Sequence, residues 1–165
     1  MSRSIYFVTY GKEDGGANPG LTPLGRYQVK QLREHLPKKP RTILAGTGRK
    51  HHDTAEALEL EPTRYSFIFG GPETEDQFAD TVILADGNRV KKEQYTSATD
   101  RAGLFIKNIK SLPGLAVVIT SCSMVSLLME PGQAKPAAVY WYVPQDGRLI
   151  ELFAAPADLG GGEKI

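Results

Sequence analysis

One cysteine in 165 residues, Cys122, is the whole thiol content of this sequence. That scarcity excludes an intrachain disulfide framework and a multi-cysteine zinc site. It fits a reducing compartment, so a cytoplasmic location is expected. An excess of either charge is also missing, because 20 Lys and Arg stand against 19 Asp and Glu for a formal net charge of +1. Without a global basic field, non-specific binding to nucleic acid or to an anionic membrane is not expected. Long apolar runs are absent too: the longest, Ala137 to Val143, has seven residues, against roughly 18–20 needed to cross a bilayer. The chain passes from Arg3 directly into the strand-like Ile5-Tyr6-Phe7-Val8. It has no apolar stretch with a small-residue cleavage site there, so the first residues are expected to belong to the fold. Neither GxGxxG nor a Walker loop occurs, which disfavours a dinucleotide- or nucleotide-binding domain. Only three histidines exist, His35, His51 and His52.

What is present reads as one domain. A chain of this length can bury a sufficient core without metal or disulfide. No repeat or linker divides it, so residues 1–159 are expected to fold together and the Gly-rich 160–165 to fray. Ser4 to Thr9 is β-branched and aromatic and stops at Gly11, a buried strand running into a loop. Thr22-Pro23 then supplies an N-cap followed by proline at the first helical position. Leu24, Tyr27, Gln31, Leu32, His35 and Leu36 share one face, and Pro37 forbids continuation, which predicts a helix over Pro23 to Leu36. Thr42 to Ala45 reads as a strand, His51 to Leu60 as a helix and Tyr65 to Phe69 as a strand. Within 70–96, Val82 to Val90 around Asp86-Gly87-Asn88 reads as a hairpin or a loop. Ser97 with Asp100 resembles a capping box opening a third helix with Ala98, Ala102, Phe105, Ile109 and Leu112 on its apolar face. Leu115 to Thr120 follows as an apolar strand and Met124 to Met129 as a further helix. Ala138 to Val143 and Leu149 to Phe153 flank the turn Pro144-Gln145-Asp146-Gly147. The expected fold is α/β, a single-domain three-layer sandwich: a mainly parallel sheet with helices on both faces and an antiparallel C-terminal hairpin. Tyr6, Leu44 and Val118 are expected on adjacent central strands. In the last hairpin Trp141 faces the core and Tyr140 and Tyr142 the other side, or the reverse.

These elements carry a resemblance. Val8-Thr9-Tyr10-Gly11 stands where a strand ending in Val-Arg-His-Gly would, and Leu21-Thr22-Pro23-Leu24-Gly25-Arg26-Tyr27-Gln28 matches Leu-Thr-x-x-Gly-x-x-Gln. Ile43-Leu44-Ala45-Gly46 followed by Thr54-Ala55-Glu56-Ala57-Leu58 looks like a strand and an Arg-x-x-x-Thr-Ala helix. Val117 to Cys122 is placed like an apolar strand ending in a second histidine, and Val139 to Leu159 like a closing hairpin. In this order the chain resembles the histidine phosphatase superfamily, the phosphoglycerate-mutase-like proteins, over most of its length. Only Gly70 to Thr96 lacks a counterpart.

The resemblance implies phosphoryl transfer through a histidine, with two arginines, a second histidine and a carboxylate around the phosphate. Transferred residue by residue, the nucleophile is Tyr10, the arginine before it Thr9, the helix arginine Lys50 and the second histidine Cys122. All four positions have changed. A phenol titrates near ~10 and is a poor nucleophile at neutral pH. Thr9 offers no guanidinium clamp, and Lys50 only a point charge. Arg49, one residue earlier, is the other anion-binding candidate with Lys50. Of His51 and His52, at most one points at the strand ends, since neighbours on a helix diverge by about a hundred degrees; a partly exposed helix start is the favoured reading over a displaced base. Cys122 reads as a small buried hydrophobe rather than a reactive thiolate, and a Cys-x5-Arg phosphatase loop is absent because Leu127 and Leu128 follow it at that distance. Glu73, Glu75 and Asp76 read as a solvated acidic turn.

The leading expectation is therefore a non-catalytic histidine-phosphatase-like protein that binds a protein partner or an anionic metabolite, weakly if phosphate, with no cofactor and no metal. The competing one is an active phosphoric ester hydrolase with a site rebuilt on Tyr10, Cys122 or a displaced histidine. Nucleic acid and membrane are not among the expected partners, and the sequence leaves the oligomeric state open.

Overall fold

The computed structural model describes residues 4–12, 20–65, 69, 81–83, 89–91, 107, 112, 114–127, 134–143 and 148–156. Its centre is β1 (Ser4–Thr9), whose residues Ile5, Phe7 and Val8 are all fully buried. Both faces of this strand must be covered, which is why its sequence is a continuous apolar run instead of an alternation. β1 pairs in parallel with β6 (Leu115–Thr120), from Ser4 opposite Leu115 to Thr9 opposite Thr120. On its other side it pairs antiparallel with β7 (Ala138–Val143). β2 (Thr42–Ala45) lies parallel to β6, β3 (Arg64–Tyr65) parallel to β2, and β8 (Arg148–Ala154) closes the far edge antiparallel to β7. The order is β3-β2-β6-β1-β7-β8, a mixed sheet of six strands. Tyr6, Leu44 and Val118 thus lie on three neighbouring strands, as expected from the strand-helix order.

The two faces carry separate apolar clusters. One packs Val8, Val29, Leu32, Ala45, Ala55, Leu58, Val117, Ile119 and Val139 beneath α1 (Pro23–Lys30) and α2 (Arg49–Ala57). The other packs Ile5, Phe7, Leu44, Val118, Tyr140 and Tyr142 against Met124 and Val125 of α3 (Cys122–Leu127). Helices on both faces make the α/β sandwich. None of the described helices is long and apolar enough to cross a membrane.

Several boundaries differ from the sequence expectation. The helix expected over Pro23 to Leu36 is α-helical only to Lys30 and continues as a 3-10 turn, Gln31–His35. Leu36 N–H bonds the Arg33 carbonyl there, the i to i−3 pattern that tightens a last helical turn. α2 starts two residues before His51 and stops at Ala57. Glu59 (φ 57°) stops it: Glu59 N–H bonds the Glu56 carbonyl and Leu60 N–H that of Ala55, a Schellman motif with glutamate where glycine usually sits. β3 is Arg64–Tyr65, starting one residue before the strand expected over Tyr65 to Phe69, with 66–68 outside the described residues. The helix expected from Ser97 to Leu112 and the tail 160–165 also lie outside them, apart from Lys107 and Leu112. Within 70–96 the hairpin alternative is the observed one, β4 (Thr81–Ile83) against β5 (Arg89–Lys91). α3 begins two residues before Met124. In β7 it is Tyr140 and Tyr142 that are buried, and Trp141 is half-buried.

The entry into α1 is set by a backbone contact. Thr22 caps the helix by accepting from Gly25 N–H at 3.0 Å, and its own N–H bonds the Lys12 carbonyl at 2.9 Å. A Cβ on Gly25 would overlap that carbonyl oxygen and lie 2.9 Å from Lys12 N; one on Gly11 would lie 2.9 Å from Gly25 Cα. Helix propensity alone makes Gly25→Ala stabilising by about 1 kcal/mol. The backbone contact reverses the sign: we expect Gly25→Ala to destabilise by about 1–3 kcal/mol, measured by urea denaturation. An unchanged or raised midpoint would show that the contact does not hold the helix.

Candidate functional site

β1 and β6 end in register at Thr9 and Thr120, so Tyr10 and Cys122 leave neighbouring strands at the carboxyl edge of the sheet. Open α/β sheets place ligands there. β2 ends beside them, with Gly46 N–H on the Ile119 carbonyl at 3.1 Å. Gly48 then starts α2 so that Lys50, His51, Thr54 and Ala55 form its buried face. The helix geometry thus explains why Lys50 and His51 point inward together while His52 is exposed. The partly exposed helix start expected for this pair holds for His52 alone; His51 is fully buried, because the first turn of α2 lies across the strand ends.

Tyr10 and Lys50 meet. The ammonium nitrogen of Lys50, itself 1% exposed, sits over the Tyr10 ring 4.4 Å from its centroid, within cation–π range. His51 approaches the same ring edge-on, with centroids 5.5 Å apart and planes at 82°. Tyr10 is 8% exposed. A phenol, an ammonium stem and a second ring thus pack together where β1 ends beneath the first turn of α2. Lys50 also anchors the helix, since its carbonyl accepts from Thr54 Oγ1 at 2.7 Å.

Thr9 is fully buried and acts on the backbone. Its hydroxyl donates to the Lys135 carbonyl at 2.7 Å and accepts from Ala138 N–H at 2.9 Å, fastening residues 135–138 to the end of β1. Ala137, between them at φ 48°, gives its N–H to the Tyr10 carbonyl at 2.9 Å. Lys135 N–H in turn bonds the Tyr140 hydroxyl at 2.7 Å. Burial pushes the Tyr140 phenol above its ordinary value, the Lys135 N–H opposes this, and the charges of Glu151 and Cys122 push it further up. Cys122, half-buried at the start of α3, therefore belongs electrostatically with Tyr140. Ser121 Oγ caps the same helix by accepting from Met124 N–H at 3.2 Å.

Arg49 is exposed and packs along Gly20, where a Cβ would lie 2.9 Å from its Nε. Beside it, Asp53 accepts from Leu21 N–H at 2.9 Å and pairs with Arg26 at 3.1 Å, while Arg26 also reaches Glu56 at 2.8 Å. Arg26 is thereby committed to tying α1 to α2. Sequence reasoning placed Tyr140 only on a face of its strand and passed over Lys135 and Asp53, because each works through contacts between distant segments. His51 was accessible to it: a helix start with apolar or small residues four and five positions after Lys50 carries both Lys50 and His51 on its inner face.

No protein-family model matches the sequence, and no curated protein matches it. Solved structures do match in shape. The chain superposes on TTHB049 from Thermus thermophilus with a TM-score of 0.62 and 18% identity, covering 92% of this chain and 98% of that one. A phosphoglycerate mutase from the same organism gives 0.60 and 19% over 94% and 99%. The protein of open reading frame Rv3214 from Mycobacterium tuberculosis gives 0.61 and 13% over 94% and 98%. The chain has a phosphoglycerate-mutase-like fold.

Two measurements test the site's construction. Thr9→Val keeps the shape but leaves the Ala138 N–H and Lys135 carbonyl unpaired in a buried place, so a loss of about 1–3 kcal/mol is expected. No change in urea midpoint would mean that water replaces the hydroxyl. For Tyr140 the unfolded phenol titrates near ~10 and the native one higher, so the native state holds the extra proton between the two values. Stability is then full below about pH 10 and falls as pH rises through the native value. Tyr140→Phe, which keeps the ring and abolishes the ionisation, should make that fall shallower; an equally steep fall would put the alkaline loss elsewhere.

Proposed function

We propose that this chain is a non-catalytic protein on a phosphoglycerate-mutase-like fold, a pseudophosphatase that binds a partner or an anionic ligand at the strand ends without turning it over. The observation that carries the reading is the packing of Tyr10 beneath Lys50 and against His51. Phosphoryl transfer to a side chain needs an available nucleophile and cations around the peripheral phosphate oxygens. Here the cation lies over the ring, 4.4 Å from its centroid, where it interacts with the phenol's π cloud. Thr9, at the position of a clamping arginine, spends both hydrogen-bonding capacities on the backbone.

One observation favours the competing reading, an active hydrolase with a rebuilt site. His51 is a buried imidazole in contact with Tyr10, and a base beside a hydroxyl is the usual way of activating it. An edge-on contact at 5.5 Å between centroids is equally the geometry of two rings packed for burial, which keeps the non-catalytic reading first.

Purified protein should hydrolyse generic phosphomonoesters at the rate of a buffer blank at neutral pH. Hydrolysis that is lost in Tyr10→Phe, His51→Gln or Cys122→Ala would replace the non-catalytic reading with the rebuilt site. Inorganic phosphate should bind with a dissociation constant in the millimolar range, about 4 kcal/mol. The variant carrying Thr9→Arg, Tyr10→His, Lys50→Arg and Cys122→His should bind it more tightly. Micromolar phosphate binding by the natural chain, or no gain in a folded fourfold variant, would place the anion site somewhere else.

A further inference from the structure

A concavity lies away from the strand carboxyl ends. α2 starts beside the carboxyl end of β2 and runs back along the sheet, so Leu58 to Leu60 emerge near the amino ends of the strands, where Arg41 N–H bonds the Leu115 carbonyl. Between this turn and the end of the 3-10 segment is a cleft of about 540 Å³, a size that accepts small organic ligands. Its floor is apolar: Leu58 belongs to the core, and Leu36 and Leu60 pack partly buried against the same cluster. Its rim is charged, with Lys30, Arg33 and Lys38 against Glu34 and Glu59.

The segment that forms one wall of the cleft is basic in a protein that is nearly neutral overall, and the facing turn of α2 brings Glu59 against it. From Lys30 to Arg41 the chain carries Lys30, Arg33, Lys38, Lys39 and Arg41 with Glu34 as the one acid, and all five cations are exposed. Lys30 and Arg33 lie in the last turns of their helical segments, where cations offset the helix dipole. That does not account for Lys38, Lys39 and Arg41, which follow the helical segments. Arg33 pairs with Glu59 across the two segments. Glu59 is the left-handed residue at the end of α2, a position at which glutamate is disfavoured against glycine and which therefore costs backbone energy. An exposed pair of this kind contributes little to stability.

We propose that this cleft is a binding site for a small amphipathic anion, with an aliphatic chain on Leu36, Leu58 and Leu60 and a carboxylate on the basic rim. The ligand carboxylate competes with Glu59 for the Arg33 guanidinium, so the ion pair covers the site when it is empty. None of the lining residues is Thr9, Tyr10, Lys50 or Cys122, so the site stands independently of what happens at the strand ends.

The probe is octanoate, titrated below its micelle-forming concentration and followed by the methyl resonances of Leu36, Leu58 and Leu60. Saturable shifts at these methyls are expected, with a dissociation constant in the high micromolar to low millimolar range. Octanol and inorganic phosphate, which each supply half of the chemistry, should bind at least fivefold more weakly. Lys30→Glu with Lys38→Glu should weaken octanoate at least tenfold, whereas Arg64→Glu with Lys107→Glu, the same charge change elsewhere on the surface, should not. Glu59→Gln releases Arg33 and should tighten binding severalfold, a gain that loss of structure cannot produce. The proposal is overturned by the absence of saturable shifts up to about 20 mM octanoate, roughly 10-fold above the low millimolar end of that range. It is equally overturned by equal affinity for octanol, or by an unchanged affinity in either the charge-reversed or the Glu59→Gln protein.

Discussion

Backbone meets backbone at Gly11 and Gly25, and much of the molecule is positioned by that approach. A strand that ends in the middle of a sheet must hand the chain to a helix lying on top of it, and side chains normally keep the two several ångströms apart. Here the Lys12 carbonyl takes the N–H of Thr22, the hydroxyl of Thr22 caps Gly25, and the Gln28 side chain receives the N–H of Lys12 at 3.0 Å while donating to Pro156 at 3.1 Å. Any Cβ at either glycine would intrude on this arrangement. Because Tyr10 is the residue immediately before Gly11, its ring is aimed by the same contact. The Asp53 carboxylate then joins α2 to the loop before α1, which holds Lys50 and His51 at the height of the strand ends.

The order of strands and helices was legible because burial on both faces writes itself into runs such as Ile5 to Val8 and Ala116 to Ile119. Periodicity also marked the inner face of α2 through Thr54, Ala55 and Leu58, but in α1 it put Tyr27, which is exposed, on a face that Leu24 in fact shares with Gly25, Gln28 and Val29. What local pattern could not reveal was where a helix changes character or stops. The end of α2 is enforced by a glutamate in a left-handed conformation, a residue that no stop signal would have flagged. At the site, the sequence placed Thr9, Tyr10, Lys50 and Cys122 at the ends of segments that converge. It did not foresee that Thr9 binds the backbone of 135–138, or that Tyr140 lies in the field of Cys122. Those contacts join distant segments of the chain, and nothing in either segment alone announces the other.

The scaffold and the strand ends answer to different physical demands. The features that shape the scaffold, the capped helix start, the close glycines and the apolar central strands, answer to packing and hydrogen bonding and tolerate little change. Residues at the strand ends answer to the reaction. With Thr9, Tyr10 and Lys50 in place, the same edge of the sheet is finished with buried rings and satisfied backbone groups. Fold and function are separable for this physical reason, and the likeness to solved structures at 13–19% identity, a phosphoglycerate mutase among them, is a likeness of fold.

The central position of β1 has a consequence for how the chain comes to be folded. Its partners on either side, β6 and β7, are made late: the parallel neighbour begins only at Leu115 and the antiparallel one at Ala138. β2 waits likewise for β6. During synthesis the N-terminal third therefore emerges with two apolar strands and no sheet to join, and α1 and α2 have no surface on which to bury Val29 or Leu58. Closing such distant pairings carries a large entropy cost before contacts repay it. Until Val143 is completed the apolar strands β1 and β2 lack sheet partners on at least one side, which is when exposed strand edges are most prone to pair with the wrong neighbour.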